Sequence, residues 1–182
     1  MKLKNVIGHF KLITHHRWIV FKLCCKLGKP WRGFVHDLSK YSPTEFLEGV
    51  KYYAGDHSPI TEAKKNKGYS EAWLHHRGRN KHHFEYWTDH KAPNVNPVIP
   101  YQYAVEMICD KLAASIIYQG KNWTKEYELS YWNEKEKDKV EMNPKIRDFV
   151  TAVMTEVAKN GIDKTLTKQN IKQLYDKYVV KP

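Results

Sequence analysis

The chain has 182 residues, 41% hydrophobic and 28% charged, with three cysteines and a formal charge of +11. That length can bury a sizeable core without disulfides, so one domain is expected over residues 1–182. No run of eighteen apolar residues predicts a transmembrane helix, and no small-residue cleavage site follows the basic start, so a cytoplasmic protein that does not enter the membrane is expected.

Phe10, Ile13, Val20, Leu23 and Leu27 recur at helical spacing and predict a helix over 4–27, ended by Gly28, Pro30 and Gly33. His16 follows Ile13 by three residues and precedes Val20 by four, so it lies on the same apolar stripe. A short helix is expected to carry His36 and Asp37, directly after the apolar Phe34-Val35 pair, where polar groups are costly to bury. Ser42, Pro43 and Glu45 form a capping box for the next helix, which accounts for Glu45 better than a catalytic role does. Residues 55–70 read as a polar loop, a lid or an insertion. Ser70 caps a helix to about Trp87, on which His76, Asn80, His83 and Trp87 are spaced 4, 3 and 4 and share a face. His82 is turned about 100° from His83.

"KAPNVNPVIP" (91–100) then breaks the chain with three prolines, and Tyr101 to Tyr118 is strongly helical. Residues 120–142 are polar and ambiguous. Asn143-Pro144 starts a helix that Asn160-Gly161 ends, and a last helix covers about 168–179. No alternating strand or internal repeat appears, so the fold is expected to be all-α.

Asp110 stands out within the long helix. Tyr103, Met107, Asp110, Ala114 and Ile117 follow one helical face, which puts a carboxylate in an apolar stripe where it needs a cation. Ten histidines are many, and four of them fall within residues 75–83. A solvated histidine-rich helix is one account of them. Taken with His16, His36, Asp37 and Asp110, they also make a nitrogen and oxygen ligand set suited to Fe, Mn, Zn or Ni. Cys24, Cys25 and Cys109, odd in number with two adjacent, read as reduced core residues. Residues 1–40 hold nine Lys or Arg against Asp37 alone, a field that favours anionic partners, nucleotide or nucleic acid, as well as a solvated surface.

The order His16, His36-Asp37, Asp110 resembles the HD-domain superfamily of metal-dependent phosphohydrolases, helical proteins whose ligands run H, HD, D along the chain. "HDLSK" is similar to the "HDIGK" form of the central motif, and the likeness covers about residues 10–118. Lys40 stands where many HD nucleotidases carry a Glu. His76, His82 and His83 resemble the additional histidines of binuclear HD proteins, among them cyclic-dinucleotide phosphodiesterases and di-iron oxygenases. "HDLSKYSPTEF", residues 76–87 and "EMICD" also resemble an uncharacterised bacterial and phage family, some of whose members carry a "catalase" label; no haem-catalase constellation is present.

The resemblance implies an HD-like helical bundle with a C-terminal helical extension at about 143–180. His16, His36, Asp37 and Asp110 would hold one divalent metal. Asp37 would bridge to a second metal held by His76 with His82 or His83, the helical phase favouring His83. The activity implied is hydrolysis of a phosphate ester, expected to be a nucleotide, by a metal-activated hydroxide. Lys40 would hold a phosphate oxygen, with Arg17, Arg79 and Lys81 as further cations, and Trp31, Trp73, Tyr86 and Trp87 could stack on a base. The alternatives are a di-iron HD-type oxygenase and a non-catalytic basic protein that binds nucleotide or nucleic acid.

Overall fold

The computed structural model describes residues 2–89 and 96–181, and these form an all-α bundle. The first helix, α1 (Leu3–Lys26), buries one long face from Ile13 to Cys24 with His16 set into it, and Gly28, with φ 67°, turns the chain out of it. The next, α2 (Pro30–Val35), starts on a proline and lies flat on α1. Gly33 permits that approach: a Cβ there would sit 2.8 Å from both Cys24 Cβ and Phe21 Cα.

Next come α3 (Pro43–Lys51), α4 (Pro59–Lys67) and α5 (Glu71–Arg77). Ser42 caps α3 by accepting from the Glu45 amide (3.4 Å), and Ser70 caps α5 by accepting from the Trp73 amide (3.0 Å). The Glu48 carboxylate accepts from the amides of Glu71 and Ala72, both at 3.2 Å, and so ties the start of α5 to α3. Two expectations are corrected here. The stretch 55–70 is not a plain loop, because Pro59 starts α4 inside it. The helix from Ser70 ends at Arg77 rather than Trp87: a turn at Gly78 follows, then a 3₁₀ segment at Phe84–Trp87.

The central helix, α6 (Tyr101–Gln119), packs on α1. The chain then folds through α7 (Tyr127–Tyr131), a π turn (Trp132–Glu136), α8 (Pro144–Asn160), α9 (Ile162–Thr165) and α10 (Lys168–Tyr175), which resolves the ambiguous 120–142 stretch as partly helical. Of the proline-rich break, residues 91–95 lie outside the described residues. The apolar core lies between α1, α6 and α8, where Val20, Leu23, Ile108, Leu112, Phe149 and Val153 are buried. Burying one such side chain is worth about 1.5–3 kcal/mol. Cys24 and Cys109 are buried free thiols, as expected, while Cys25 is exposed. Among the described residues no helix is long and apolar enough to cross a membrane.

Candidate metal centre

The HD pair sits in a kink, not on a helix. Its helix, α2, ends at Val35; His36 is extended and Asp37 is left-handed, at φ 52° and ψ 27°. Among the described residues Asp37 is the one non-glycine with positive φ, a conformation that Asp tolerates better than most residues. Arg17 holds the kink from α1. Its Nε donates to the His36 carbonyl and its Nη2 to the Phe34 carbonyl, both at 2.7 Å.

The kink carries both side chains into a buried cluster. His16 Nε2 lies 2.9 Å from Asp110 Oδ1 and 3.3 Å from His36 Nε2, while His36 Nε2 lies 3.3 Å from Asp37 Oδ2 and 3.4 Å from Asp110 Oδ1. The other carboxylate oxygen of Asp37 faces a second set. Asp37 Oδ1 is 3.2 Å from His76 Nε2 and 3.4 Å from His82 Nε2, and His76 Nε2 is 2.9 Å from His83 Nε2. Each set, His16–His36–Asp37–Asp110 and Asp37–His76–His82–His83, offers four ligand atoms within 4.8 Å of one another and could hold a metal ion. Two ligands about 2.1 Å from one ion lie roughly 3.0–3.4 Å apart, which is the spacing of most of these contacts.

Tautomers sharpen the point. His36 Nδ1 lies 3.0 Å from Glu106 Oε1, and His76 Nδ1 lies 2.7 Å from Glu45 Oε2. A carboxylate only accepts, so each Nδ1 carries a proton and each Nε2 is turned inward, the nitrogen that would give its lone pair to an ion. His82 Nδ1 also lies 3.1 Å from Glu106 Oε1. His36 Nε2 and His76 Nε2 therefore face carboxylate oxygens and other imidazoles, and both Asp37 oxygens are buried, Oδ2 against Lys40 Nζ and Oδ1 against imidazoles alone. The cluster attracts positive charge. Burial is the largest influence on His36 and His76 and pulls both pKa values down, but the carboxylates together outweigh it, Asp37 foremost, with Asp110 and Glu106 adding at His36 and Glu45 at His76, and both end above the usual value. Burial pushes Asp37 and Asp110 up, yet the neighbouring imidazoles hold both well below the usual carboxylate range, aided at Asp37 by Lys40. His83 is lowered by burial and by His82 and His76, so its imidazole stays neutral, as a ligand must be.

Two residues of the centre escaped the sequence reading. Glu106 braces His36 and His82 and is itself held by Arg32, whose Nε donates to Oε2 at 2.8 Å. Burial pushes Glu106 up, but His36 and His82 bring it to about 2. Its signal was its place one turn before Asp110 on α6. Glu45 was read as half of a capping box; Ser42 does cap its amide, but its carboxylate is turned to His76 and to His75 Nδ1 (2.6 Å).

The expected ligands His16, His36, Asp37, His76, His82, His83 and Asp110 are brought together, His82 and His83 both, because the turn after α5 frees them from helical phase. Lys40 joins them, with Nζ 2.7 Å from Asp37 Oδ2. Arg17, Arg79 and Lys81 are not brought to the cavities beside the centre. Arg17 is spent on backbone carbonyls, Arg79 is exposed, and Lys81 lies over the rings of Tyr86 and Tyr103. Of the aromatics, Trp73 lines both cavities; Trp31 is exposed against Phe34, Tyr86 is exposed, and Trp87 packs on the core. The first cavity, about 190 Å³, is walled by Leu12, Ile13, Trp73 and Ile117, and Lys40 is its one lysine or arginine.

A family model described as "Family of unknown function (DUF5662)" matches residues 5–156. Neither a curated protein nor a solved structure matches the chain.

Proposed function

The chain belongs to the family of unknown function DUF5662, and from its own centre we propose an HD-type, metal-dependent phosphohydrolase with two divalent ions. The observation that carries this reading is the Asp37 carboxylate, whose Oδ2 faces the His16–His36–Asp110 set while Oδ1 faces the His76–His82–His83 set. A carboxylate split between two ligand sets suits a bridge between two ions.

The donors fit divalent transition metals, with five imidazoles and two carboxylates and no thiolate. When bound, such ions supply Lewis acidity to a phosphoryl oxygen and water made nucleophilic at neutral pH. The chain's own residues do the rest. Glu106 and Glu45 fix the imidazole tautomers, Arg17 fixes the kink, and Lys40 is positioned to take a phosphate oxygen. Burial works against the Lys40 charge, but Asp37 and Asp110 raise its pKa, so it stays cationic. In the reaction a water oxygen bonds to phosphorus, the bond to the ester oxygen breaks, and the departing alcohol takes a proton. One lysine in a small cavity supports a single phosphate group rather than a polyphosphate chain.

The test is metal-loaded protein assayed for phosphate release from a panel of monoesters, beside Asp37→Ala and Lys40→Ala. Release that Asp37→Ala abolishes and Lys40→Ala weakens mainly through KM supports the reading. Oxygen consumption without phosphate release would replace it with the oxygenase.

A further inference from the structure

A second cavity, about 480 Å³, opens on another side of the same centre. Its wall runs from His82, His83 and Asp110 along α6 to Ser115, then across to Glu128 on α7 and Glu136 in the π turn. The charge there is lopsided. Glu85, Glu128 and Glu136 share one lysine, Lys111, and that lysine is bound to Glu136. Glu128 is only 4% exposed, and among the described residues no cation pairs with it. The Ser115 hydroxyl beside it is shared, since it also bonds the Leu112 carbonyl (2.9 Å) and accepts from Trp123 Nε1 (3.0 Å). Burial pushes Glu128 up to about 8. A buried carboxyl that lines an open cavity with only a shared hydroxyl and no ion pair of its own is costly to ionise unless a ligand supplies a cation. Tyr127, Tyr131 and Trp73 line the same space, and aromatic rings attract cations.

We propose that this cavity is the subsite for an ammonium group, and that the substrate is the phosphate ester of a short amino alcohol, its phosphate at the metal centre and its nitrogen at Glu128. The assignment of the phosphate end rests on the phosphohydrolase reading; the nitrogen end rests on the cavity. Ser115 follows Asp110 by five residues, about 7.5 Å along α6, a span that suits a linker of two to four carbons. An ammonium brings Glu128 a positive charge and unshared donors, which an alkyl chain cannot do.

Calorimetric titration of the manganese-loaded protein with 3-aminopropylphosphonate and butylphosphonate, an isostere that lacks only the ammonium, reads the subsite without turnover, since neither compound can be hydrolysed. The amine is expected to bind at least about tenfold tighter, the worth of one charged hydrogen bond. In Glu128→Gln that preference is expected to vanish while the affinity for butylphosphonate is unchanged. Equal affinities in the parent, no binding of either compound, or a preference that survives Glu128→Gln overturns the proposal. Amine preference without phosphate release from 3-aminopropyl phosphate upholds the subsite and overturns the hydrolase; release without amine preference does the reverse.

Discussion

Two regions buried on either side of α6 meet opposite demands. On one side Ile108 and Leu112 pack with Phe149 and Val153 into a core that needs only matched volumes. On the other, Glu106 and Asp110 join five imidazoles and Asp37 in a space almost as closed to solvent. The core explains itself by burial. The centre does not: it gathers two aspartates and five imidazoles out of water around a single lysine, Lys40, a costly arrangement that a bound metal cation would relieve. If the centre holds the proposed ions, changes on the two sides of α6 should fail differently.

The largest effect should come from Asp37→Ala, which removes the one ligand shared by both sets. Phosphate release is expected to fall at least about 10²–10³-fold, and metal content should drop with it while the helical circular dichroism is kept. Turnover equal to the parent would remove the centre from the chemistry. On the core side, Phe149→Ala should cost about 3–5 kcal/mol in urea unfolding and leave metal stoichiometry intact. Loss of metal in that variant would show that the two regions are not separable.

Legibility in the sequence followed the same division. Helices α1, α6, α8 and α10 were readable because each pairs a long 3.6-residue apolar period with a cap or breaker, such as Asn143-Pro144 before α8. The ligands were readable because His16 and Asp110 interrupt apolar stripes and His36-Asp37 follows an apolar pair. The kink was not, since Phe34-Val35-His36 reads smoothly as helix and only Arg17, reaching from α1, shows why it ends. Glu45 hid behind a capping role that it does fill. Arg17 looked like a free cation because the carbonyls that hold it come from another element. His82 was ranked below His83 on helical phase, which has no force once α5 stops at Arg77.

A smaller effect sharpens the contrast. Glu106→Gln keeps shape and a partial hydrogen bond but removes the charge that orients His36 and His82. Metal affinity should weaken about 10–100-fold, with full occupancy recovered at saturating metal, as competition with a fluorescent chelator would show. Unchanged affinity would mean that Glu106 is only a partner for Arg32.

A further contrast, small within any one pH unit, is a slope. Glu128 holds its proton to about 8 in the folded chain, whereas an unfolded Glu releases it near 4.3. Between those values the folded state binds the extra proton, so stability falls as pH rises, by at most about 1.4 kcal/mol per unit. Glu128→Gln should flatten the slope in urea denaturation followed from pH 5 to 8. A slope identical in parent and variant would place the titration elsewhere.

The central claim is that Asp37 bridges two metal ions, and metal counting tests it most directly. Protein purified without chelator and loaded with manganese or iron is predicted to hold about two ions per chain, falling to about one in His76→Ala, which strips only the second set. One ion in both proteins, or none retained by the parent after loading, would contradict it.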